Sequence, residues 1–295
     1  MKPLPERLKD GAILVADGAM GTMLLEHGLE TGTPPESINR TRPEVLEEIA
    51  RLYLEAGADI IQTNTFGGSP LKLATYDLDD RAEEINRAAA DAVRSIVGDR
   101  ALVSGSCGPS GRMLTPYGDT EPDEMYESSR RQMEALIGTG VDVICVETMT
   151  DPREAALAIR AAKDVRADVP VMATMTFDPT PRGYYTIMGV TVEQAAGELI
   201  EAGADVVGSN CGNGSEPMVE IAELFRACCD HPLLIQPNAG LPETKDGRLV
   251  YSESPQFMAE QARRLIEAGV SIVGGCCGTT PEHIRALRRA VDALN

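Results

Sequence analysis

The chain has 295 residues, with 27 Lys and Arg against 46 Asp and Glu, a formal net charge of −19 at pH 7, no Trp, three His and seven Cys. A chain this acidic, with no basic run to compensate, repels a phosphate backbone, which argues against nucleic acid as a partner. No apolar stretch reaches the length of a membrane span and the opening residues carry no signal-peptide core, so the sequence reads as soluble and cytoplasmic, with no membrane partner.

Seven is an odd number of cysteines for a long chain of intracellular character. That argues against a disulfide framework and for thiols kept for packing, metal or catalysis.

Aliphatic runs that predict buried strands lie at 13–16, 60–63, 101–104, 143–146, 171–174, 206–208, 233–236 and 272–274. Helical patterns follow them, at 43–56, 81–97, 123–138, 152–166, 191–202, 216–229, 255–268 and 281–293. Several open on a Pro-first or capping-like start, as in Thr41-Arg42-Pro43-Glu44, Asp151-Pro152-Arg153-Glu154 and Thr280-Pro281-Glu282. A recurring phrase joins helix to strand: EAGADII from Glu55, GTGVDVI from Gly138, EAGADVV from Glu201 and EAGVSIV from Glu267. Each reads as a helix stopped by a glycine and followed by a buried strand. Eight strand–helix alternations predict one α/β domain over residues 1–295, a (β/α)8 TIM barrel. A doubly wound open sheet is the competing fold. It would carry a glycine-rich phosphate turn after the first strand, and Val15-Ala16-Asp17-Gly18-Ala19-Met20-Gly21 has only two of the glycines required.

In a parallel barrel the chemistry comes from the C-terminal strand ends. There the sequence offers Asp17, Asn64-Thr65-Phe66, Cys107, Glu147-Thr148, Thr174 and Thr176, Asn210-Cys211-Gly212, Pro237-Asn238-Ala239-Gly240, and Gly274-Gly275-Cys276-Cys277-Gly278. No strand end supplies a His, so a metal on this face must take sulfur or oxygen ligands. Cys211, Cys276 and Cys277 come from strands that a closed barrel brings together, and three thiolates with an open fourth position suit a catalytic Zn²⁺. The competing reading is three small residues filling the barrel top. Cys228-Cys229-Asp230-His231 looks more metal-like locally, yet it ends the sixth helix and so belongs to the opposite, structural face. Cys145 falls inside the fourth strand as core, and Cys107 is expected in a tight loop lining the pocket. For Asp17 and Glu147 the plain alternative is helix capping.

Asp17-Gly18-Ala19-Met20-Gly21-Thr22-Met23-Leu24, Thr63-Asn64-Thr65-Phe66-Gly67, Glu147-Thr148, Asn210-Cys211-Gly212, Pro237-Asn238-Ala239-Gly240-Leu241-Pro242 and Gly274-Gly275-Cys276-Cys277-Gly278-Thr279-Thr280-Pro281-Glu282-His283 together resemble the zinc-dependent homocysteine S-methyltransferase family. The likeness is strongest to the homocysteine-binding module of cobalamin-dependent methionine synthase. The resemblance implies one zinc held by Cys211, Cys276 and Cys277, which take the catalytic role, with the homocysteine thiolate as fourth ligand. It implies Asp17 and Glu147 on the substrate ammonium, and Asn238 beside the metal as a candidate for the fourth position when substrate is absent. Thr63, Asn64, Ser106 and Thr176 complete the implied substrate contacts, with backbone around 105–107 and 174–176 meeting the carboxylate.

The physical chemistry agrees, since a free thiol is mostly protonated at neutral pH and a coordinating one loses its proton. Three cysteine thiolates give the zinc centre a negative charge that keeps a fourth sulfur nucleophilic.

The expected methyl donor is methylcobalamin or another corrinoid on a separate partner protein, because the sequence stops just past the eighth helix. A small betaine or sulfonium donor, or a different acceptor thiol, is the alternative. The segment 177–189, with Tyr184-Tyr185, departs from the shorter polar loop expected there. It is expected either to reshape the pocket mouth or to cover the barrel top. An aldolase or phosphate-binding barrel would need a strand-end Lys, and none of the eight ends carries one. A non-catalytic partner in a larger complex is the third class of function.

Overall fold

The computed structural model describes residues 2–30, 32–245 and 248–294. The barrel strands are β1 (Leu14–Val15), β2 (Ile60–Gln62), β3 (Leu102–Cys107), β4 (Val143–Met149), β5 (Val171–Met175), β6 (Val206–Asn210), β7 (Leu233–Gln236) and β8 (Ile272–Val273). They pair in parallel in the order β1-β8-β7-β6-β5-β4-β3-β2. A parallel bridge between Ala16 and Ile60 closes β1 onto β2 and makes the barrel. The wrapping helices are α1 (Pro43–Glu55), α2 (Ala82–Val97), α3 (Pro122–Ile137), α4 (Pro152–Val165), α5 (Val192–Glu201), α6 (Ser215–Cys228), α7 (Pro255–Glu267) and α8 (Pro281–Asp292). This is the expected (β/α)8 architecture.

Alternation along the strands builds two apolar layers. Leu14, Ala16, Ile60, Leu102, Val143, Cys145, Met172, Val206, Leu234 and Ile272 fill the barrel interior, and Leu4 of a short N-terminal helix (Leu4–Lys9) plugs the end away from the site. Val15, Ile61, Val103, Ile144, Ala173, Val207, Ile235 and Val273 face the helices. Cys145 is therefore core, as expected.

The recurring helix–glycine–strand phrase has a backbone and an electrostatic half. Gly57, Gly140, Gly203 and Gly269 have φ of 95°, 81°, 105° and 89°, left-handed turns that stop each helix. The aspartate two residues on then accepts an N–H from the first or second residue of the neighbouring strand. Asp59 takes Val15 N at 2.9 Å, Asp142 takes Val103 N at 2.8 Å and Asp205 takes Val171 N at 2.8 Å. Each carboxylate is held by a cation, from Arg7 and Arg288, Arg94 and Lys163 respectively. The fourth copy has Ser271 in the aspartate's place.

Two strands run three residues past the aliphatic pattern. β3 extends to Cys107 and β4 to Met149, with a register shift between Val146 and Met149. Polar residues that pattern reading assigns to loops are thus strand residues: Ser106 and Cys107 pair with Cys145 and Val146 of β4, and Glu147 and Thr148 sit in the register shift. Cys107 is one: its thiol lies 2% exposed and donates to the Gln132 side-chain oxygen at 3.2 Å, so it packs behind the pocket instead of lining it. No helix among the described residues is long and apolar enough to cross a membrane.

Candidate metal centre and substrate pocket

Cys211 follows β6, while Cys276 and Cys277 follow β8, and the strand order places β7 alone between them. One sulfur from each lies within 4.8 Å of the other two, and Cys211 Sγ is 3.9 Å from Cys277 Sγ. Tetrahedral zinc with Zn–S bonds of about 2.3 Å needs sulfurs about 3.8 Å apart, so the donor set fits that ion in chemistry and in spacing. No other cluster of three or more metal-ligating side chains occurs among the described residues. Cys228, the last residue of α6, is exposed with its thiol turned back onto Phe225 O at 3.2 Å, and Cys229 is the C-cap that follows.

The loop that presents Cys211 adopts a demanding conformation. Cys211 has φ of 60° and Gly212 of 74°, two successive left-handed residues. A non-glycine there costs about 1–3 kcal/mol and persists only where surrounding contacts enforce it. Across the mouth Thr148, at the β4 bulge, is also left-handed at 59°. Asn210 locks the two together: its side-chain oxygen accepts Thr148 N at 2.8 Å and Thr174 Oγ1 at 2.7 Å. Its amide donates to Thr148 Oγ1 at 2.7 Å, to Glu147 Oε2 at 3.3 Å and to Cys276 Sγ at 3.8 Å. Asn210 is thus the hub of the site, yet its sequence neighbourhood marks it only as the residue before a cysteine.

Hydrogen bonds from the Cys276 and Cys277 thiols, helped by Gly212 N–H and the Asn238 side chain, drive the Cys211 thiol far down toward thiolate. The same coupling pushes Cys276 and Cys277 up. Asn238 Oδ1 is buried without a partner, an orphaned acceptor of the kind a metal or a substrate ammonium satisfies.

A cavity of about 240 Å³ opens beside the thiols. Gly18–Thr22, Glu36, Gln62–Asn64, Phe66, Ser106, Glu147, Thr148, Gln236 and Gly275 line it together with the three cysteines. Glu147 accepts a short hydrogen bond from Ser106 Oγ and carries a carboxyl pushed up to about 7, mainly by burial. Asp17 is 1% exposed and sits just behind the lining. Its Oδ2 accepts Gln62 N at 2.8 Å, its Oδ1 has no partner, and burial pushes its carboxyl up to about 8, with Glu147 adding to the shift. Neither carboxylate caps a helix: Glu147 is a strand residue, and the helix after β1 (Met20–Glu26) has Ala19 at its cap.

Among the remaining residues singled out from sequence, Thr63, Asn64 and Ser106 line the cavity. Thr63 Oγ1 is already 2.6 Å from Thr65 Oγ1, and Asn64 is tied to Asn39 and to Pro35 O. Thr176 and Asn238 stand outside the lining, and Thr176 Oγ1 donates to Asn210 O at 2.9 Å. Pattern reading missed Glu36, Gln62 and Gln236 as lining residues; Glu36 comes from a short 3-10 turn (Pro35–Ser37) with no aliphatic run to announce it. Tyr184 and Tyr185 neither line the cavity nor cover it. They lie in a hairpin of Asp178–Thr180 and Gly183–Tyr185, with the Tyr184 hydroxyl donating to Glu220 of α6 at 2.9 Å.

A closed parallel barrel whose C-terminal mouth gathers three thiols, two raised carboxyls and a small cavity is the framework of a barrel enzyme with its site at the strand ends. The chain belongs to the homocysteine S-methyltransferase family, whose model matches residues 14–291. It is similar to the methionine synthases of Mycobacterium leprae (strain TN) and Mycobacterium tuberculosis (strain ATCC 25618 / H37Rv). The first is 33% identical over 305 residues, covering 96% of this chain, and the second 34% identical over 298 residues, covering 95%. The chain spans 24% of the length of either relative. Among solved structures, the metallated form of the homocysteine methyltransferase MmuM from Escherichia coli superposes with a TM-score of 0.81, covering 98% of this chain and 99% of that one at 22% identity. The apo form of the same protein gives 0.75, also at 22% identity. At this identity the likeness bears on the fold.

Proposed function

We propose that this protein is a zinc-dependent S-methyltransferase that converts homocysteine to methionine, with Cys211, Cys276 and Cys277 as the zinc ligands. The observation that carries the reading is the convergence of three thiols from β6 and β8 on one small cavity. Membership of the homocysteine S-methyltransferase family supports the acceptor, and relatives named methionine synthase support the product. When bound, zinc supplies a Lewis acid that lets a thiol lose its proton at neutral pH.

The chain's own residues then have distinct tasks. Glu147 and Asp17 take the substrate ammonium: its positive charge relieves the burial that holds both carboxyls up. Ser106 fixes the Glu147 carboxylate by its hydroxyl, and Gln62 N–H fixes Asp17. No Lys, Arg or His lines the cavity among the described residues, and the Thr63, Asn64 and Ser106 side chains already donate to Thr65, to Asn39 and Pro35 O, and to Glu147, so the substrate carboxylate meets the neutral backbone N–H groups beside them. Asn210 holds the Glu147 side of the mouth against the Cys211–Cys276 side, which orients the sulfur for in-line attack. The S–CH3 bond forms as the donor–CH3 bond breaks, the electron pair staying with the donor. The leaving group needs no proton, which matches a mouth without imidazole.

The methyl donor in this reading is a methylcorrinoid on a separate protein. A cavity of about 240 Å³ admits an amino acid and a methyl group but not a corrin ring, which must stop at the rim. A small onium donor is the second reading, favoured by the acidic lining and the half-exposed Phe66 ring beside it. Methyl transfer to homocysteine from methylcobalamin, glycine betaine and S-methylmethionine, measured side by side as methionine formed, decides. Turnover with methylcobalamin alone supports the corrinoid donor, transfer only from the onium compounds replaces it, and no transfer from any of the three defeats the reading.

A further inference from the structure

Three loops build the thiol site: 211–214 after β6, 237–240 after β7 and 274–278 after β8. Each contains one glycine whose missing side chain is occupied by the same short stretch of chain. A Cβ on Gly214 would overlap the Glu253 carboxylate, one on Gly240 the Ser252 hydroxyl, and one on Gly278 the ring of Tyr251. Three consecutive residues thus seat on three consecutive loops. Gly240 and Gly278 also have φ of 86° and 79°, so those two sites demand glycine twice over.

The polar contacts follow the same order. Glu253 N donates to Ala239 O at 2.9 Å, and Glu253 O lies 3.1 Å from His283 Nε2 on α8. The Glu253 carboxylate accepts Ser215 N at 3.1 Å and 3.0 Å and also accepts the Ser215 hydroxyl. Ser215 is the first residue of α6, and Gly214 before it has no side chain to cap the helix. The carboxylate therefore caps α6 from a distant segment, where a negative charge is also favoured by the helix dipole. Immediately after the clasp, Ser254 caps α7 by accepting Phe257 N at 3.2 Å, which anchors the stretch to the scaffold.

We propose that Tyr251-Ser252-Glu253 is a clasp that pre-shapes the three-thiol site for its metal, with Glu253 as the positioning residue for Cys211. The inference rests on the reading of Cys211, Cys276 and Cys277 as zinc ligands. Cys211 and Gly212 sit in left-handed conformations, and that of Cys211 persists only where surrounding contacts enforce it: Gln236 O on Cys211 N and Phe177 O on the Asn213 amide hold the near part of the loop, and Glu253 holds its far end. Gly214 and Ser215, only three and four residues on, are where Glu253 holds it. No clasp residue touches substrate in this account; Glu253 acts through the backbone of the Cys211 loop, and the Tyr251 hydroxyl also hydrogen-bonds the Cys277 thiol. Such supporting contacts typically carry about 10- to 100-fold in metal affinity.

The test is zinc affinity of the full chain, measured by competition with a chromophoric chelator for wild type, Cys276→Ala, Glu253→Ala and Glu253→Gln. Far-UV circular dichroism and the Tm of each metal-free protein are recorded alongside. Glu253→Ala is expected to bind zinc about 10- to 100-fold more weakly than wild type with the metal-free spectrum unchanged, and Glu253→Gln, which keeps one acceptor, to fall between. Unchanged zinc affinity in folded Glu253→Ala overturns the clasp while leaving the ligand reading intact. Zinc binding that Cys276→Ala does not reduce overturns the ligand reading and the clasp with it. Should Glu253→Ala fail to fold, Ser215→Ala removes one donor to the same carboxylate. A smaller loss of affinity there supports the clasp, and wild-type affinity overturns it.

Discussion

Two cysteine-rich stretches of this chain look alike on paper and differ in the folded molecule. Cys228-Cys229-Asp230-His231 packs four ligand-type residues into one run, yet Cys228 faces solvent and the group forms no three-donor cluster. Cys211 and the Cys276-Cys277 pair are far apart in sequence and meet within 4.8 Å. What separates them is the end of the barrel each occupies. The first stretch ends α6, ahead of β7; the second set follows β6 and β8, where backbone bends free of the ladder can aim adjacent side chains at one point. Local density of ligand-type residues is thus a poor guide, and strand-end position a good one.

The largest test of that contrast is paired substitution. Cys276→Ala is expected to drop bound zinc from about one equivalent to less than half and to cut methyl transfer at least about a hundredfold. Cys228→Ala and Cys229→Ala are expected to leave both unchanged; the exposed Cys228→Ala should shift stability by no more than about 0.5 kcal/mol, and Cys229→Ala, half-buried against the core, by about 1 kcal/mol. Equal losses of zinc at both stretches would erase the distinction.

The next effect concerns Asp17. Its carboxyl is raised to about 8 in the fold, so the unfolded chain loses this proton near pH 4 while the folded chain keeps it to about pH 8. Folding is then progressively penalised as pH rises between those values. Asp17→Asn is expected to raise Tm at pH 8 while leaving it near wild type at pH 4. It is also expected to raise KM for homocysteine about tenfold or more through loss of one charged partner. A variant that loses stability at pH 8, with KM unchanged, would remove Asp17 from the substrate site.

The smallest effect lies outside the mouth. Tyr184→Phe removes one hydrogen bond to Glu220 on the outer side of α6, so kcat/KM is expected to stay within about twofold of wild type and stability to change by about 1 kcal/mol at most. A larger kinetic loss would return the hairpin to the pocket.

The architecture was legible because aliphatic strands and helical patterns alternate eight times, with the glycine-stopped phrase in four of the joints, and the helix limits expected from pattern agree with those observed to within one residue. The cysteine triad was legible for the same reason, since strand-end position follows from the fold. Asn210, Glu36 and the 251–253 clasp were not. Their roles depend on contacts across 30 or more residues, as in Glu36 with Gly67 N and Glu253 with Ser215. A period of two or of 3.6 carries no trace of such pairing. Cys107 and Glu147 were placed one element too late because a polar strand end on β3 or β4 reads like a loop until its ladder partners are seen.

The central claim is that the three strand-end sulfurs hold the metal that receives the substrate thiol. X-ray absorption of the zinc-loaded protein tests it most directly. The account predicts three sulfur neighbours and one nitrogen or oxygen neighbour without substrate, and four sulfur neighbours once homocysteine is added. A zinc environment with fewer than three sulfurs, or one that homocysteine leaves unchanged, would contradict it.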